Sequence, residues 1–169
     1  MAKKGLSVRE VTLFGVLAAL TFGAKVAMSY LPNIEPVTLF LMIFGAVFGW
    51  KSLFIVYVYV LAEILFYGIG TWNINYLYIW VIPAAAGWLL RRWENPVLWA
   101  VIAGVYGLLF GALCAPVDLF IGGVGYAASK WISGIPFDAA HCAGNFVLAL
   151  LLFVPLRKLT QRLVSHPGQ

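Results

Sequence analysis

One charged residue, Lys25, interrupts the stretch from Val11 to Leu31, and comparable apolar stretches recur along the rest of the chain. A helix that crosses a bilayer needs roughly 20 mostly apolar residues. With 63% of the 169 residues hydrophobic, 10% charged and a mean hydropathy of +0.96, too little polar surface remains to cover a soluble core. The chain reads as an all-α, polytopic membrane protein: one integral membrane domain over residues 1–169, a six-helix bundle with an outward-facing pocket. Spans are predicted near 9–31, 36–50, 51–70, 75–91, 96–116 and 138–157. Only Gly49-Trp50-Lys51 separates the second from the third, so five spans with one broken helix is the competing count.

Placing both termini in the cytoplasm puts Lys3, Lys4, Arg9, Lys51, Arg91, Arg92, Arg157, Lys158 and Arg162 inside and leaves Lys130 in an outer loop. That distribution obeys the positive-inside rule. The formal charge of +5 is therefore read as topology and lipid headgroup contact, and no nucleic acid is expected. The basic start followed by an apolar run is read as a permanent span, since no small-residue cleavage site stands out before Leu31. Cys114 and Cys142 fall near outer helix ends, have neither zinc nor redox spacing, and are expected to be packed free thiols.

Along the first span, Gly15, Ala19, Gly23 and Ala27 place a small residue at every fourth position. In lipid, such a stripe lets another helix approach closely, so this face is expected to meet a partner. Lys25 lies about 200° round the helix from Gly23, at 100° per residue, and is expected to point into the bundle. Helix one would then carry two faces, one for a partner and one for a ligand.

At 1.5 Å per residue, Lys25 and Glu63 both fall in the outer half of the membrane. Ionisable groups at that depth face a cavity or a partner. Two readings stand: a Lys25–Glu63 pair that only locks two helices, or a Glu63 that contributes more to ligand binding than to folding. Tyr59, Glu63 and Tyr67 share one helical face, a carboxylate between two phenols. Asp138, His141 and Asn145 form a stripe on the last helix that runs inward and ends at Leu148 and Leu152, as a closed pocket does and a pore does not. No second histidine shares that helix, so no metal is expected.

The connection 68–76 carries two glycines with Trp72, Asn73, Asn75 and Tyr76 and is read as a lid; the proline-braced 31–36 is read as a gate over the same mouth. Segment 117–137 is expected to hold a short interfacial helix, and Gly104, Gly107, Gly111 and Ala115 to pack inside the bundle. The candidate ligand-binding set is Lys25, Tyr59, Glu63, Tyr67, Trp72, Asn75, His141 and Asn145. No nucleotide loop, nucleophile set or paired-carboxylate metal site is present, so no catalytic residue and no cofactor are assigned.

With these features in view, the chain resembles a substrate-binding S component of an energy-coupling factor (ECF) vitamin transporter. The resemblance spans nearly the whole length and rests on about six helices, inside termini and the stripe Gly15, Ala19, Gly23 and Ala27. The run from Gly134 to Phe146, closing on Pro155-Leu156-Arg157, resembles the last helix of several members. The resemblance implies capture of a vitamin or related micronutrient outside the cell. It also implies docking on a transmembrane coupling subunit and delivery driven by two ATPases. No pocket motif selects the substrate; a corrinoid-related compound, another B vitamin and a modified nucleobase all remain open. A structural membrane partner of the cell-shape machinery type is the alternative, and a small intramembrane enzyme using Glu63 and His141 is a more distant one.

Overall fold

The computed structural model describes residues 5–31 and 33–165, so Lys3, Lys4 and Pro32 lie outside the described residues. Those residues form helices and no strand. Three helical stretches, Val8–Ala27, Val37–Tyr67 and Pro96–Ser165, are long and apolar enough to cross a membrane. The elements are α1 (Val8–Ala27), α2 (Val37–Phe48), α3 (Ser52–Tyr67), α4 (Trp72–Ile79), α5 (Val81–Leu89), α6 (Pro96–Leu108) and α7 (Phe110–Ser165), with a 3-10 turn at Gly49–Lys51.

Local chemistry explains where several of these helices start and stop. Ser7 Oγ accepts from the Glu10 amide at 3.2 Å while the Glu10 carboxylate accepts from the Ser7 amide at 2.9 Å, a reciprocal cap at the start of α1. Asn95 Oδ1 accepts from the Val97 amide at 2.9 Å, and Pro96 supplies the preset φ of a first helical residue, so α6 begins there. At Gly49, φ is +61°, a conformation that costs a side-chain-bearing residue energy, and the chain reverses between α2 and α3.

Pair contacts establish the direction of each helix. Glu10 meets Lys51 and Phe14 packs on Phe48 at one end of α1, while Phe22 packs on Phe66 and Lys25 meets Glu63 toward the other. Helix α1 thus runs parallel to α3 and antiparallel to α2. Its buried face is Phe14, Ala18 and Thr21. Helix α5 descends beside α2 so closely that a Cβ added to Gly45 would lie 2.0 Å from the Ala84 carbonyl oxygen, and one added to Gly87 would lie 2.0 Å from that of Met42. Backbones at this separation gain dispersion contacts that any side chain would forbid. Gly45→Ala and Gly87→Ala are each expected to destabilise the protein by about 1–3 kcal/mol, through overpacking against rigid backbone. Thermal melting of the purified variants checks this, and unchanged melting would refute the close approach.

Helices α6 and α7 form an antiparallel hairpin that reverses at Gly123, whose φ is +77°. Trp99 stacks on Phe153 with ring centroids 4.0 Å apart, and added methyl groups at Gly107 would meet the backbone of His141 and Cys142 at 2.8 Å. Gly104, Gly107 and Gly111 therefore pack inside the protein, where the sequence places them. The short interfacial helix expected over 117–137 is instead the end of this hairpin, tied by Lys130 Nζ to Asp118 Oδ1 at 2.7 Å. Only one residue in the segment, Gly123, breaks helical geometry, so helix continues to the turn on both sides. Cys114 and Cys142 are free and half-buried.

Helix bounds differ from expectation in two informative places. Helix α1 stops at Ala27 rather than near 31. Trp72, expected in a loop, opens α4, and α4 and α5 meet at Trp80 as two halves of one descending segment.

Candidate functional site

At the end of the bundle where α1 and α3 finish, Lys25 Nζ donates to Glu63 Oε2 at 2.6 Å. The Glu63 side chain is 1% exposed and that of Lys25 18%, so one partner is sealed and the other reaches a surface. That surface is a cavity of about 270 Å³ lined by Lys25, Glu63, Tyr67, Trp72 and Tyr76. Lys25 Nζ lies 5.4 Å from the Tyr67 ring centroid and 5.7 Å from that of Tyr76, within range of favourable cation–π contact. Trp72 stands edge-on to Tyr76 at 4.9 Å. The ion pair and the cavity are thus one feature, and Glu63 belongs to both.

Helical periodicity supplies part of this arrangement. Tyr59, Glu63 and Tyr67 project from one face of α3, with Tyr59 buried at the deep end and Tyr67 exposed at the mouth. Trp72 and Tyr76 come together because they are four residues apart in α4.

Beneath the cavity an aromatic layer closes the site. Tyr76 packs on Trp80 at 5.3 Å, Trp80 on Tyr59 at 5.8 Å and on Phe110 at 5.7 Å, and Phe110 on His141 at 5.0 Å. His141 and Asn145 lie in and below this layer and do not line the cavity. Asn145 Nδ2 donates to Thr38 Oγ1 at 3.2 Å, which ties α7 to α2. The inward stripe Asp138, His141 and Asn145 continues as Ala149 and Phe153, whereas Leu148 is half-buried and Leu152 exposed, because the buried face tracks the packing against α6. Asn75 turns to the other side of α4, where its Oδ1 at 3.0 Å and the Leu113 carbonyl at 2.6 Å share the single Tyr78 hydroxyl proton.

Seven buried side-chain polar atoms among the described residues lack a hydrogen-bond partner. Glu63 Oε1 and the Tyr59 hydroxyl are two of them, and Trp80 Nε1, His141 Nε2 and Asn145 Oδ1 lie in the layer below. An unpaired buried polar atom costs about 1–3 kcal/mol, so native proteins keep few of them without a use. Tyr59 and Glu63, one turn apart on α3, interact through their side chains.

A second carboxylate, outside the cavity lining, lies within electrostatic range of this pair, and helical spacing does not disclose it. Glu35, in the connection between α1 and α2, interacts with both Lys25 and Glu63, and burial pushes its carboxyl up from the ordinary 4.5 to about 7. The only sequence signal for it is an acidic residue in a proline-braced connection. Because the folded protein favours the protonated form, stability from this group is present below about pH 4.5 and is lost as pH rises toward 7. Glu35→Gln is therefore expected to melt like wild type at pH 4.5 and higher than wild type at pH 8, by at most about 3 kcal/mol. Equal melting temperatures at pH 8 would mean that the carboxylate is well solvated.

The opposite end of the bundle has a different character. Lys51 bonds Glu10, Arg91 reaches the Gly49 turn, and Arg157 donates to the carbonyls of Trp93 and Arg91. On the outside of α1, Ala19, Gly23 and Ala27 are exposed, and a Cβ added to Gly15 or Gly23 would meet nothing within 4 Å. Comparison with known proteins finds no matching family model, no matching curated protein and no matching solved structure.

Proposed function

We propose that this chain is a membrane-embedded substrate-binding component of an ECF-type importer, capturing a vitamin-like micronutrient outside and delivering it with a coupling subunit and two ATPases. In this reading the bundle crosses the membrane six times with both termini cytoplasmic. The cation-rich end with Lys51, Arg91 and Arg157 faces inward, in keeping with the positive-inside rule. The carboxylate and aromatic end faces outward.

The observation that carries the reading is the division of α1. One face sends Lys25 to a cavity lined by its own ion pair and three aromatic rings, and the opposite face leaves Gly15, Ala19, Gly23 and Ala27 uncovered. A helix that holds both a ligand and an open small-residue face suits a protein that carries cargo and docks. A purely structural membrane partner has a use for the second face and none for the first.

The test is co-expression of the tagged chain with an ECF coupling subunit and its two ATPases, followed by reconstitution into vesicles. Co-purification of all four and ATP-dependent uptake of a ligand found by thermal-shift screening are the expected results. A chain that neither assembles with the other subunits nor is stabilised by any small molecule would sink the proposal.

A further inference from the structure

We infer that the groove between α1, α2 and α7 seats an acyl chain of an anionic phospholipid whose phosphate is held by Arg9. The inference rests on the chain lying in a membrane and is independent of the transport reading.

The lining of the groove excludes a polar occupant. It is a cavity of about 170 Å³ in which Leu13, Leu17 and Leu20 of α1 form one wall and Leu156, Leu159 and Leu163 of α7 the other. The buried Ile43 and Phe44 of α2 form its floor. Thr160 supplies the one hydroxyl in the lining, and it donates to the Leu156 carbonyl at 2.8 Å. No side chain there is left to bond a polar ligand, so only hydrocarbon gains by entering. A helix with its side chains is about 10 Å across, too wide for this space, whereas a single acyl chain fits it.

Length and charge specify the lipid. A second recess, of about 330 Å³, shares Leu13, Phe48 and Val164 with the groove and carries it on to Ser7, Arg9 and Glu10 at the start of α1. Arg9 and Leu20 stand about 16 Å apart along the helix at 1.5 Å per residue, close to half of a hydrocarbon core about 30 Å thick. The apolar track thus has the depth of one leaflet. At its polar end Glu10 is engaged by Ser7 and Lys51, whereas the Arg9 guanidinium is exposed and makes no ion pair among the described residues. A free guanidinium at the end of such a track complements a phosphate joined to an acyl chain, because its planar fork bonds two phosphate oxygens at once and anionic headgroups gather at basic residues. The small-residue stripe lies about 130° round α1 from this wall at 100° per residue, so a lipid here leaves that face open.

Phosphatidylglycerol and phosphatidylcholine with the same two acyl chains isolate the charge preference, and native mass spectrometry of the full chain in detergent counts single bound lipids. Titrations at pH 7 should show phosphatidylglycerol bound at least about fivefold more tightly than phosphatidylcholine, the effect of one basic residue on an anionic headgroup. Arg9→Gln should bring that ratio below about twofold, while Lys158→Gln, which removes a charge about 170° round α7 from the groove lining, should leave it unchanged. Leu163→Trp fills the groove from its exposed rim and should weaken both lipids by a similar factor, and millimolar inorganic phosphate should displace neither. Equal affinities for the two lipids, or an equal fall in the ratio for Arg9→Gln and Lys158→Gln, overturn the inference, since the preference is then absent or belongs to the whole surface. Unchanged lipid binding by folded Leu163→Trp overturns it as well, and so does displacement by free phosphate. Arg9 and Lys158 are exposed, so their variants decide the matter even where Leu163→Trp does not fold. The transport reading is tested separately, by subunit assembly and uptake, and stands or falls without this result.

Discussion

Lys25→Met is expected to destabilise the protein by about 3–5 kcal/mol, the usual cost of leaving a buried charge without its partner. Two features make this the largest single-residue effect in the site. Glu63 is 1% exposed and loses the only ion-pair partner it has among the described residues, and Glu35 is a second carboxylate within electrostatic range. Glu63→Gln is expected to cost less, because Lys25 keeps Glu35 nearby and stays over the Tyr67 and Tyr76 rings. The same substitution should weaken ligand binding at least tenfold, about 1.4 kcal/mol or more, since it converts a charged acceptor into a neutral amide. Combining both substitutions should recover part of the loss. A double-mutant cycle on melting or denaturant unfolding measures that coupling, and additive costs would show that Lys25 and Glu63 do not act as a pair.

The second large effect is expected at the far side of α1, and it should leave folding untouched. Under the proposed docking role, Ala19→Leu with Gly23→Leu should reduce recovery of a co-expressed ECF coupling subunit and ATPases in co-purification by more than tenfold, because leucines at successive turns fill the groove a partner helix needs. Within the chain itself these side chains meet open space, since Ala19 is exposed and nothing lies within 4 Å of a Cβ at Gly23. Replacing a mid-helix glycine with leucine should even favour the helix by somewhat under about 1 kcal/mol. Melting temperature and ligand affinity of the double variant are therefore the internal controls. Normal assembly by a folded variant would remove α1 from the docking interface.

Much of this architecture was legible because it depends on residues close together in the chain. The repeat of apolar stretches dictates helices that must bury their backbones, whatever their partners. A period of 3.6 residues puts Gly15, Ala19, Gly23 and Ala27 on one side of α1 and Phe14, Ala18 and Lys25 on the other, and the same period aligns Tyr59, Glu63 and Tyr67. Glycines at 104, 107 and 111 announce a close helix contact before the identity of the neighbour is known.

What surrounds a given side chain is decided by residues distant in sequence, and there local reasoning stops. Whether Lys25 reaches Glu63 depends on α1 and α3 running parallel, which follows from the reversal at Gly49 and the Glu10–Lys51 contact at the other end. Glu35 comes within electrostatic range of Lys25 and Glu63 from the connection between α1 and α2, a matter of backbone path rather than periodicity. His141 and Asn145 carry the polarity of site residues, yet Trp80, Tyr106 and Phe110 stand between them and the cavity. Asn75 is turned away by the hydrogen bond it accepts from Tyr78. Sequence alone determined that the chain is helical and which faces of α1 and α3 are buried, since both follow from short-range geometry and the cost of leaving backbone unpaired in an apolar medium. Only the tertiary structure decided which polar groups meet, because a pair such as Lys25 and Glu63 is brought together by the packing of every helix between them.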